Sequence, residues 1–130
     1  MERKALVVIN HELTENQIND LKRTYGVEKI MYLPQDLKNL ISQVPPELEE
    51  IKYYIRPILE YLDENLDVGD LIVLQGEPGV TYLIANYAYQ SGFVPVYSTT
   101  KREVVEEKLD NGKVHITRTF KHVRFRKYGE

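Results

Sequence analysis

The chain has 130 residues, of which 42% are hydrophobic and none is cysteine. This size and composition predict a single domain over residues 1–130 that buries its own core, and they exclude disulfides, thiolate metal sites and a cysteine nucleophile. The apolar runs are too short to cross a membrane and the N-terminus lacks the apolar core of a signal peptide, so we expect a cytoplasmic protein.

The net charge of -3 hides an uneven distribution along the chain. Residues 1–100 carry 8 basic and 15 acidic side chains, whereas residues 101–130 carry 9 basic and 5 acidic ones. A cationic C-terminal segment attracts phosphates, and it is equally consistent with the solvated basic face of a sheet.

Strands and helices alternate through the first hundred residues. Hydrophobic period and length predict, in chain order, a strand over residues 4–9, a helix over 14–26, a strand over 29–33, a helix over 35–43, a helix over 47–66, a strand over 71–75, a helix closed by Gly92 and a strand over 94–97. Thr14 and Gln17 have the spacing of a capping box. Pro57 is expected to kink or split the long helix.

The apolar period changes to two in the last quarter of the chain. The sequence Asp-Asn-Gly at 110–112 predicts a turn between antiparallel strands over residues 103–109 and 113–120. In the last segment Val123 and Phe125 alternate with cationic side chains, which predicts a strand with one buried face and one cationic face.

Alternating strands and helices followed by a hairpin predict an α/β fold. We expect a Rossmann-like three-layer sandwich with a mostly parallel sheet, strand order 2-1-3-4, and a C-terminal antiparallel β-hairpin. Helices that leave neighbouring strands on opposite faces open a crevice, here between the loop Asn10–His11 and the loop Gln75–Gly79. A loop at Ser98–Thr100 is expected to close the side of this crevice.

The loop after the third strand has features of a phosphate site. Gly76 and Gly79 let the backbone approach a ligand, and the next helix offers free N–H groups to an anion, although an ordinary strand-to-helix turn is an equal alternative. After the fourth strand, residues 98–102 supply three hydroxyls and two cations that could also contact a phosphate. An ordinary polar loop is the alternative explanation for these residues. The carboxylates and histidines do not have the spacing of metal ligands. The sequence also lacks the Gly-x-Ser-x-Gly nucleophile elbow, which argues against acyl transfer. Metal-independent phosphate chemistry is therefore favoured.

Four segments, in this order, resemble the small CRISPR-associated Csx family numbered twenty over nearly the whole chain. They are Asn10–Gln17 (NHELTENQ), Gln75–Gly79 (QGEPG), Tyr97–Arg102 (YSTTKR) and Phe120–Tyr128 (FKHVRFRKY). The resemblance implies a ring nuclease that cleaves a cyclic oligoadenylate second messenger, with cyclic tetra-adenylate the expected ring, and switches off type III CRISPR signalling. The sequence departs from the family at Asn10, where serine is usual, and at Glu77-Pro78, where an acid and an aromatic are usual.

The implied chemistry is metal-independent attack of the substrate's own 2′-hydroxyl, so the protein needs only to align that oxygen and stabilise the added charge. Arg102 is predicted to stabilise this charge, while Ser98 and Thr99 orient the phosphate. Either His11 or His122 accepts the hydroxyl proton, and a structural role is the alternative for each histidine.

No cofactor or metal is expected. The predicted ligand-binding residues are Asn10, Gln75, Gly76, Glu77, Gly79, Tyr82, Thr100, Lys101, Arg118, Arg124 and Arg126. Tyr82 and Tyr97 stack on adenine or pack in the core. A ligand with four repeating phosphates suits a twofold homodimer, and neither a membrane nor a long nucleic acid is an expected partner.

Two alternatives remain open: a sensor or sponge that binds the ring without cutting it, and a nucleic-acid or protein interaction module built on the basic C-terminal sheet.

Overall fold

The computed structural model describes residues 2–130, which form one five-stranded sheet with four helices. The strands are β1 Lys4–Val8, β2 Lys29–Tyr32, β3 Leu71–Leu74, β4 Val94–Lys108 and β5 Val114–Lys127. The helices are α1 Glu15–Tyr25, α2 Gln35–Ser42, α3 Arg56–Asn65 and α4 Pro78–Ser91. The order β2-β1-β3-β4-β5, parallel except for β4–β5, confirms the predicted α/β class, the mostly parallel sheet and the C-terminal hairpin.

The central strands send side chains into two separate apolar clusters. Leu6 and Val8 of β1 belong to a cluster with residues of α2, α3 and α4, whereas Ala5 and Val7 belong to a cluster with α1. Successive side chains of a strand point to opposite faces of a sheet, so both faces of β1 are covered. Within residues 2–130, no helix combines the length and the apolar character needed to span a membrane.

The ends of α1 follow the predicted local signals. The Thr14 hydroxyl accepts a hydrogen bond from the Gln17 N–H at 3.3 Å, and the Thr14 N–H donates to Gln17 Oε1 at 2.9 Å, which completes the capping box. Gly26 ends the helix in the left-handed conformation, with φ of 66°. Local sequence alone therefore sets both ends of this helix.

The prediction of one long helix over residues 47–66 is wrong in its first half. Residues 47–55 form turns, and α3 begins at Arg56 with Pro57 in its first turn. Proline has no N–H and clashes inside a helix, but it is tolerated in the first turn, so the helix starts beside Pro57 instead of kinking there. Ile55, directly before α3, is nevertheless buried, whereas Leu48 is exposed.

The predicted loop at Ser98–Thr100 is also wrong, because β4 runs through these residues without interruption. Its parallel neighbour β3 pairs only as far as Val96 of β4, but β5 pairs with β4 from Val96 to Lys108. The second partner satisfies the backbone groups of β4 beyond the end of β3, so the strand continues.

A β-bulge in β5 changes which side chains face α1. Thr99 pairs with Arg124 and Thr100 pairs with His122, so Val123 is an extra residue without a partner in the β4–β5 register. The side chain of His122 is 5% exposed and Val123 is 57% exposed, the reverse of the predicted alternation. The Thr99 hydroxyl donates to the Arg124 carbonyl at 3.0 Å and accepts from the Arg124 N–H at 3.3 Å, which ties the strands together at the bulge.

Residues 101–121 of β4 and β5 form a two-stranded arm that extends beyond the other strands. Its turn is the predicted Asp-Asn-Gly segment, where the Leu109 N–H donates to the Lys113 carbonyl at 2.8 Å and Gly112 has φ of 80°. Five apolar side chains of the arm are 47–71% exposed: Val104, Val105, Val114, Ile116 and Phe120. Within one copy of the chain the arm carries apolar surface that no element covers.

Asp70, buried just before β3, provides a test of the fold. Its Oδ1 accepts from the Lys4 N–H at 3.0 Å and its Oδ2 from the Asp67 N–H at 2.8 Å. Asp70→Asn turns an amide donor toward one of these N–H groups, so we expect the free energy of unfolding in urea to fall by about 2 kcal/mol. Asp67→Asn alters an exposed partner of Lys4 and should change it by less than about 1 kcal/mol. Equal losses in both variants would contradict the role given to Asp70.

Candidate functional site

Side chains from α1, β4 and β5 are joined in one hydrogen-bonded series, the Asp20–His122–Ser98 chain. His122 Nε2 lies 2.8 Å from Asp20 Oδ2, and His122 Nδ1 lies 2.5 Å from Ser98 Oγ. The ring of Phe125 packs against the imidazole, with 4.6 Å between centroids. The His122 side chain is buried and Ser98 is half-buried, so a ligand meets the Ser98 hydroxyl before the imidazole.

The partners of the imidazole fix the position of its proton. An ionised carboxylate can only accept hydrogen bonds, so Nε2 of His122 carries the proton and donates it to Asp20. When the imidazole is neutral, Nδ1 keeps its lone pair and accepts from the Ser98 hydroxyl. A hydroxyl bonded to a base that a third group orients is the arrangement by which enzymes remove a proton from a weak nucleophile.

Asp20 is held in its ionised form. Burial raises the pKa of Asp20, but the hydrogen bond from the Thr24 hydroxyl at 2.6 Å, the hydrogen bond and charge of His122 and the charge of Arg124 outweigh burial. The pKa of Asp20 is therefore lowered from its usual value. An ionised Asp20 stabilises positive charge on the neighbouring imidazole.

Arg102 lies on the same face of the β4–β5 ribbon as His122. Thr100 is opposite His122 and Arg102 is opposite Phe120, and opposed residues of an antiparallel pair share a face. Arg102 is thus a diagonal neighbour of His122, a position about 7–8 Å away in such pairs and within reach of a long side chain. Arg102, a predicted charge-bearing residue, therefore lies on the same face of the ribbon as the Asp20–His122–Ser98 chain.

The other predicted cations are spread along the ribbon. Lys101 pairs with Lys121, one position from Arg102, so it points to the opposite face of the arm. Arg118 pairs with Val104, which places it on the Arg102 face but farther from His122. Arg124 follows the extra residue Val123, and its backbone carbonyl accepts a hydrogen bond from the Thr99 hydroxyl.

The predicted crevice between the first and third strand loops is present in part. Asn10, Gln75, Gly76 and Glu77 line one crevice at the carboxyl ends of β1 and β3. His11 lies in a neighbouring cavity of about 220 Å³ on the β2 side. Residues 98–100 line neither space, so the prediction that they close the crevice is wrong: they belong to β4, which continues past it.

The start of α4 is occupied by a side chain of its own loop. The Glu77 carboxylate accepts a hydrogen bond from the Gly79 N–H, and Pro78 has no N–H to offer. A Cβ on Gly79 would lie 3.0 Å from Ile51 Cδ1 and 3.1 Å from Glu77 Oε1. Packing alone therefore explains why glycine occupies position 79. The geometry favours an ordinary strand-to-helix turn over a phosphate site at this loop.

The two candidate histidines have different surroundings. His11 is exposed and its Nδ1 lies 2.9 Å from the carbonyl oxygen of its neighbour Glu12. His122 instead lies between a carboxylate and a hydroxyl. The structure does not bring the two histidines to one cavity, and the geometry favours His122 as a proton acceptor. Within residues 2–130, no group of three or more histidine, aspartate or glutamate side chains is arranged to hold a metal ion.

Asp20 is the member of the chain that the sequence did not identify. It is 102 positions from His122, and the two meet only because β5 places its bulge over α1. One local signal does exist. Asp20 and Thr24 are a polar pair four residues apart beside buried Leu21, which is an unusual place for an acid unless it has a partner.

The comparisons with known proteins identify the family. The Uncharacterized protein MJ1673 family matches residues 3–126. A relative from Methanocaldococcus jannaschii, called Uncharacterized protein MJ1673, is 39% identical over 125 residues, which cover 96% of this chain and 96% of the relative. No solved structure matches the chain. This chain therefore belongs to the Uncharacterized protein MJ1673 family, and the matched range includes the whole Asp20–His122–Ser98 chain.

The lowered pKa of Asp20 predicts a pH-dependent stability. A carboxylate with a depressed folded pKa contributes stability that is complete above its unfolded pKa of about 3.9 and is lost as the pH falls through the lower folded pKa. We expect Asp20→Asn to be less stable than the parent by about 1–2 kcal/mol at pH 7, with the difference shrinking below about pH 4.

Urea unfolding between pH 7 and pH 3 measures this difference. Glu28→Gln is the control, because it changes an exposed carboxylate that is not part of the Asp20–His122–Ser98 chain. Its free energy of unfolding should equal that of the parent at every pH. A gap between Asp20→Asn and the parent that stays constant across the range would contradict an ionised, hydrogen-bonded Asp20.

Proposed function

We propose that this protein is a metal-independent ring nuclease that binds and cleaves a cyclic oligoadenylate second messenger in the cytoplasm and so switches off type III CRISPR signalling. Cyclic tetra-adenylate is the expected ring. The observation that carries this function is the Asp20–His122–Ser98 chain with Arg102 on the same face. The resemblance of four segments to the Csx family numbered twenty supplies the substrate class.

The proposal includes the finer description of the fold. A Rossmann-like three-layer arrangement, with α1 on one face of the sheet and the other helices on the opposite face, is supported by the two separate apolar clusters on β1. In such folds ligands bind beyond the carboxyl ends of the parallel strands. Ser98 lies two residues after Val96, the last β4 residue paired with β3, and therefore at that same edge.

The Asp20–His122–Ser98 chain is suited to removing a proton from a ribose 2′-hydroxyl. The proton of the 2′-oxygen passes to Ser98 Oγ as Ser98 gives its own proton to Nδ1 of His122, and Asp20 stabilises the resulting imidazolium. The 2′-oxygen forms a bond to phosphorus and the bond to the 5′-oxygen breaks. The leaving 5′-oxygen takes up the proton that the His122 imidazolium returns through Ser98 Oγ. The ring is thereby opened to one linear molecule, with a 5′-hydroxyl at one end and a 2′,3′-cyclic phosphate at the other. Every atom of this step comes from the substrate and the three side chains.

Arg102 is the group assigned to the added charge of the transition state. It lies one diagonal step from His122 on the arm, on the face where the phosphate would stand. Arg118, farther along the same face, is positioned to attract the ligand rather than to touch the reacting phosphate. Thr99 has both of its hydrogen bonds with the backbone of Arg124, so its role in this proposal is to hold the bulge.

The proposed state is a twofold homodimer. Four of the exposed apolar side chains of the arm, on the ribbon that carries Arg102, are suited to contact with a second copy: Val104, Val114, Ile116 and Phe120. A self-complementary contact of this kind brings two copies of the chain together, and two identical sites match a ring of repeating nucleotides.

The same hydrogen-bonded chain favours a second candidate function. Ser98 itself would be the nucleophile of a hydrolase, with His122 as its base and Asp20 as the orienting acid. This reaction passes through a covalent intermediate on Ser98 Oγ and leaves no 2′,3′-cyclic phosphate. A covalent adduct on Ser98 therefore separates the two functions.

Incubation with cyclic tetra-adenylate in excess EDTA is expected to give linear products ending in a 2′,3′-cyclic phosphate or its opened form, because the proposed step uses no metal. Chromatography with mass spectrometry identifies the products. Cleavage that stops with EDTA and returns with magnesium would sink the mechanism. Linear products without a cyclic phosphate, with a mass adduct on Ser98, would support the second candidate.

The same incubation separates the remaining alternatives. Bound but uncut ligand would support a sensor or sponge. Absence of binding, measured by equilibrium dialysis, would support an interaction module that uses the basic C-terminal sheet.

Arg102→Ala is expected to slow single-turnover cleavage by about 100-fold or more while ligand affinity falls much less, since the charge it stabilises develops in the transition state. Arg118→Ala, the matched control on the same face, should mainly weaken binding and reduce its dependence on salt. Both arginines are exposed, so both variants should fold. Cleavage by Arg102→Ala at the parental rate would show that the charge is stabilised elsewhere.

A further inference from the structure

A second concave surface lies along α4, on the face of the sheet opposite the Asp20–His122–Ser98 chain. This surface, the tyrosine groove, has a volume of about 380 Å³ and is lined by Thr81, Tyr82, Asn86, Tyr89 and Tyr128, with three small or cyclic neighbours. None of its lining side chains, all within the described residues, carries a charge. An uncharged groove rich in aromatic rings is suited to a flat, uncharged ring system.

The sequence of α4 places these side chains on one stripe. Tyr82, Asn86 and Tyr89 follow at intervals of four and three residues, whereas Val80, Ile84 and Ala88 face the core. Tyr82 is 68% exposed and so makes little contribution to the core. Its ring is a free stacking surface.

Hydrogen bonds hold the opposite wall of the groove in place. The Tyr89 hydroxyl donates to the Tyr128 carbonyl at 2.5 Å, and the Tyr128 hydroxyl donates to the Leu74 carbonyl at 2.5 Å. The two rings are therefore fixed before any ligand arrives, which lowers the entropy cost of binding.

One buried side-chain oxygen of the groove has no hydrogen-bond partner among residues 2–130. Thr81 Oγ1 is buried and forms no hydrogen bond with the described residues. Thr81 lines both the tyrosine groove and the crevice beside Gln75 and Glu77. A buried hydroxyl without a partner is costly, so a polar atom of a ligand at this junction would be favoured.

Two aromatic rings connect the cation Arg126 to the wall of the uncharged groove. The guanidinium of Arg126 lies over the ring of Tyr97, 5.2 Å from its centroid, and its Nε donates to the Tyr97 hydroxyl at 2.5 Å. The Tyr97 ring packs against that of Tyr128, with 4.8 Å between centroids. An aromatic groove with a neighbouring fixed arginine matches a molecule with a flat ring at one end and an anion at the other.

We propose that the tyrosine groove binds a purine nucleoside monophosphate, with its base on Tyr82 and its phosphate at Arg126. The Asn86 carboxamide offers one donor and one acceptor, the pair that matches adenine N7 and its 6-amino group. This site lies on the opposite face from His122 and goes beyond the proposed function, because it binds its ligand whether or not the chain cleaves a ring.

Titration with adenosine 5′-monophosphate tests the site, followed by calorimetry or by tyrosine fluorescence, since the chain has no tryptophan. We expect Tyr82→Ala to weaken binding by about 10-fold, as for the loss of one base stack, and Tyr82→Phe to keep it. Tyr53→Ala is the matched control, because Tyr53 is 81% exposed and lies outside the groove.

Further variants separate this site from the proposed nuclease. Asn86→Ala should reduce the preference for the adenine nucleotide over the cytosine nucleotide, and His122→Ala should leave nucleotide binding unchanged. Parental affinity in Tyr82→Ala, or no binding by the parent, would overturn the site. A change of association state on Tyr82→Ala in sedimentation, without a change in nucleotide affinity, would show that a second copy covers the groove and would overturn it as well.

Discussion

One extra residue in β5 determines which side chains of the strand face α1. Without the bulge at Val123, strict alternation from Phe125 would bury the valine against α1 and turn His122 toward solvent. Full burial of a valine side chain is worth roughly 1.5–3 kcal/mol, and the strand forgoes it. In return it buries an imidazole between a carboxylate and a hydroxyl, and the Thr99 hydroxyl supplies two hydrogen bonds at the bulge. A strand that departs from the regular alternation of buried and exposed side chains in order to make a polar contact is typical of functional sites.

The fold was predictable where local signals decide it. The capping box at Thr14, the left-handed Gly26 and the turn at 110–112 act within a few residues, and each was placed correctly. The errors came where a distant partner decides. The apolar spacing around Ile55 fits a helix or a series of turns, and Pro57 settles the choice. Residues 98–100 form a strand only because β5 lies beside them, and no local signal describes that partner.

The candidate site was predictable in residue type but not in arrangement. Ser98, His122 and Arg102 were identified from their chemistry and the family resemblance, and the ribbon of β4 and β5 places them on one face. Asp20 was missed because its partner is 102 positions away. His11 has equally suitable chemistry, yet it follows β1, and β3 lies between that strand and the β4–β5 ribbon. Spacing along the chain cannot distinguish the two histidines, whereas strand order does.

The arm links the proposed chemistry to the proposed homodimer. An arginine stabilises a transition state far better where water is excluded, because the effective dielectric constant is lower there. In one copy of the chain Arg102 is exposed, and its cross-strand partner Phe120 is 71% exposed. A second copy that covers Phe120 and Val104 would remove apolar surface from water and, in the same contact, lower the dielectric constant around Arg102. Association and catalysis would then draw on one surface, so a change that loosens the arm contact should reduce the rate of cleavage more than it reduces the affinity for the ring.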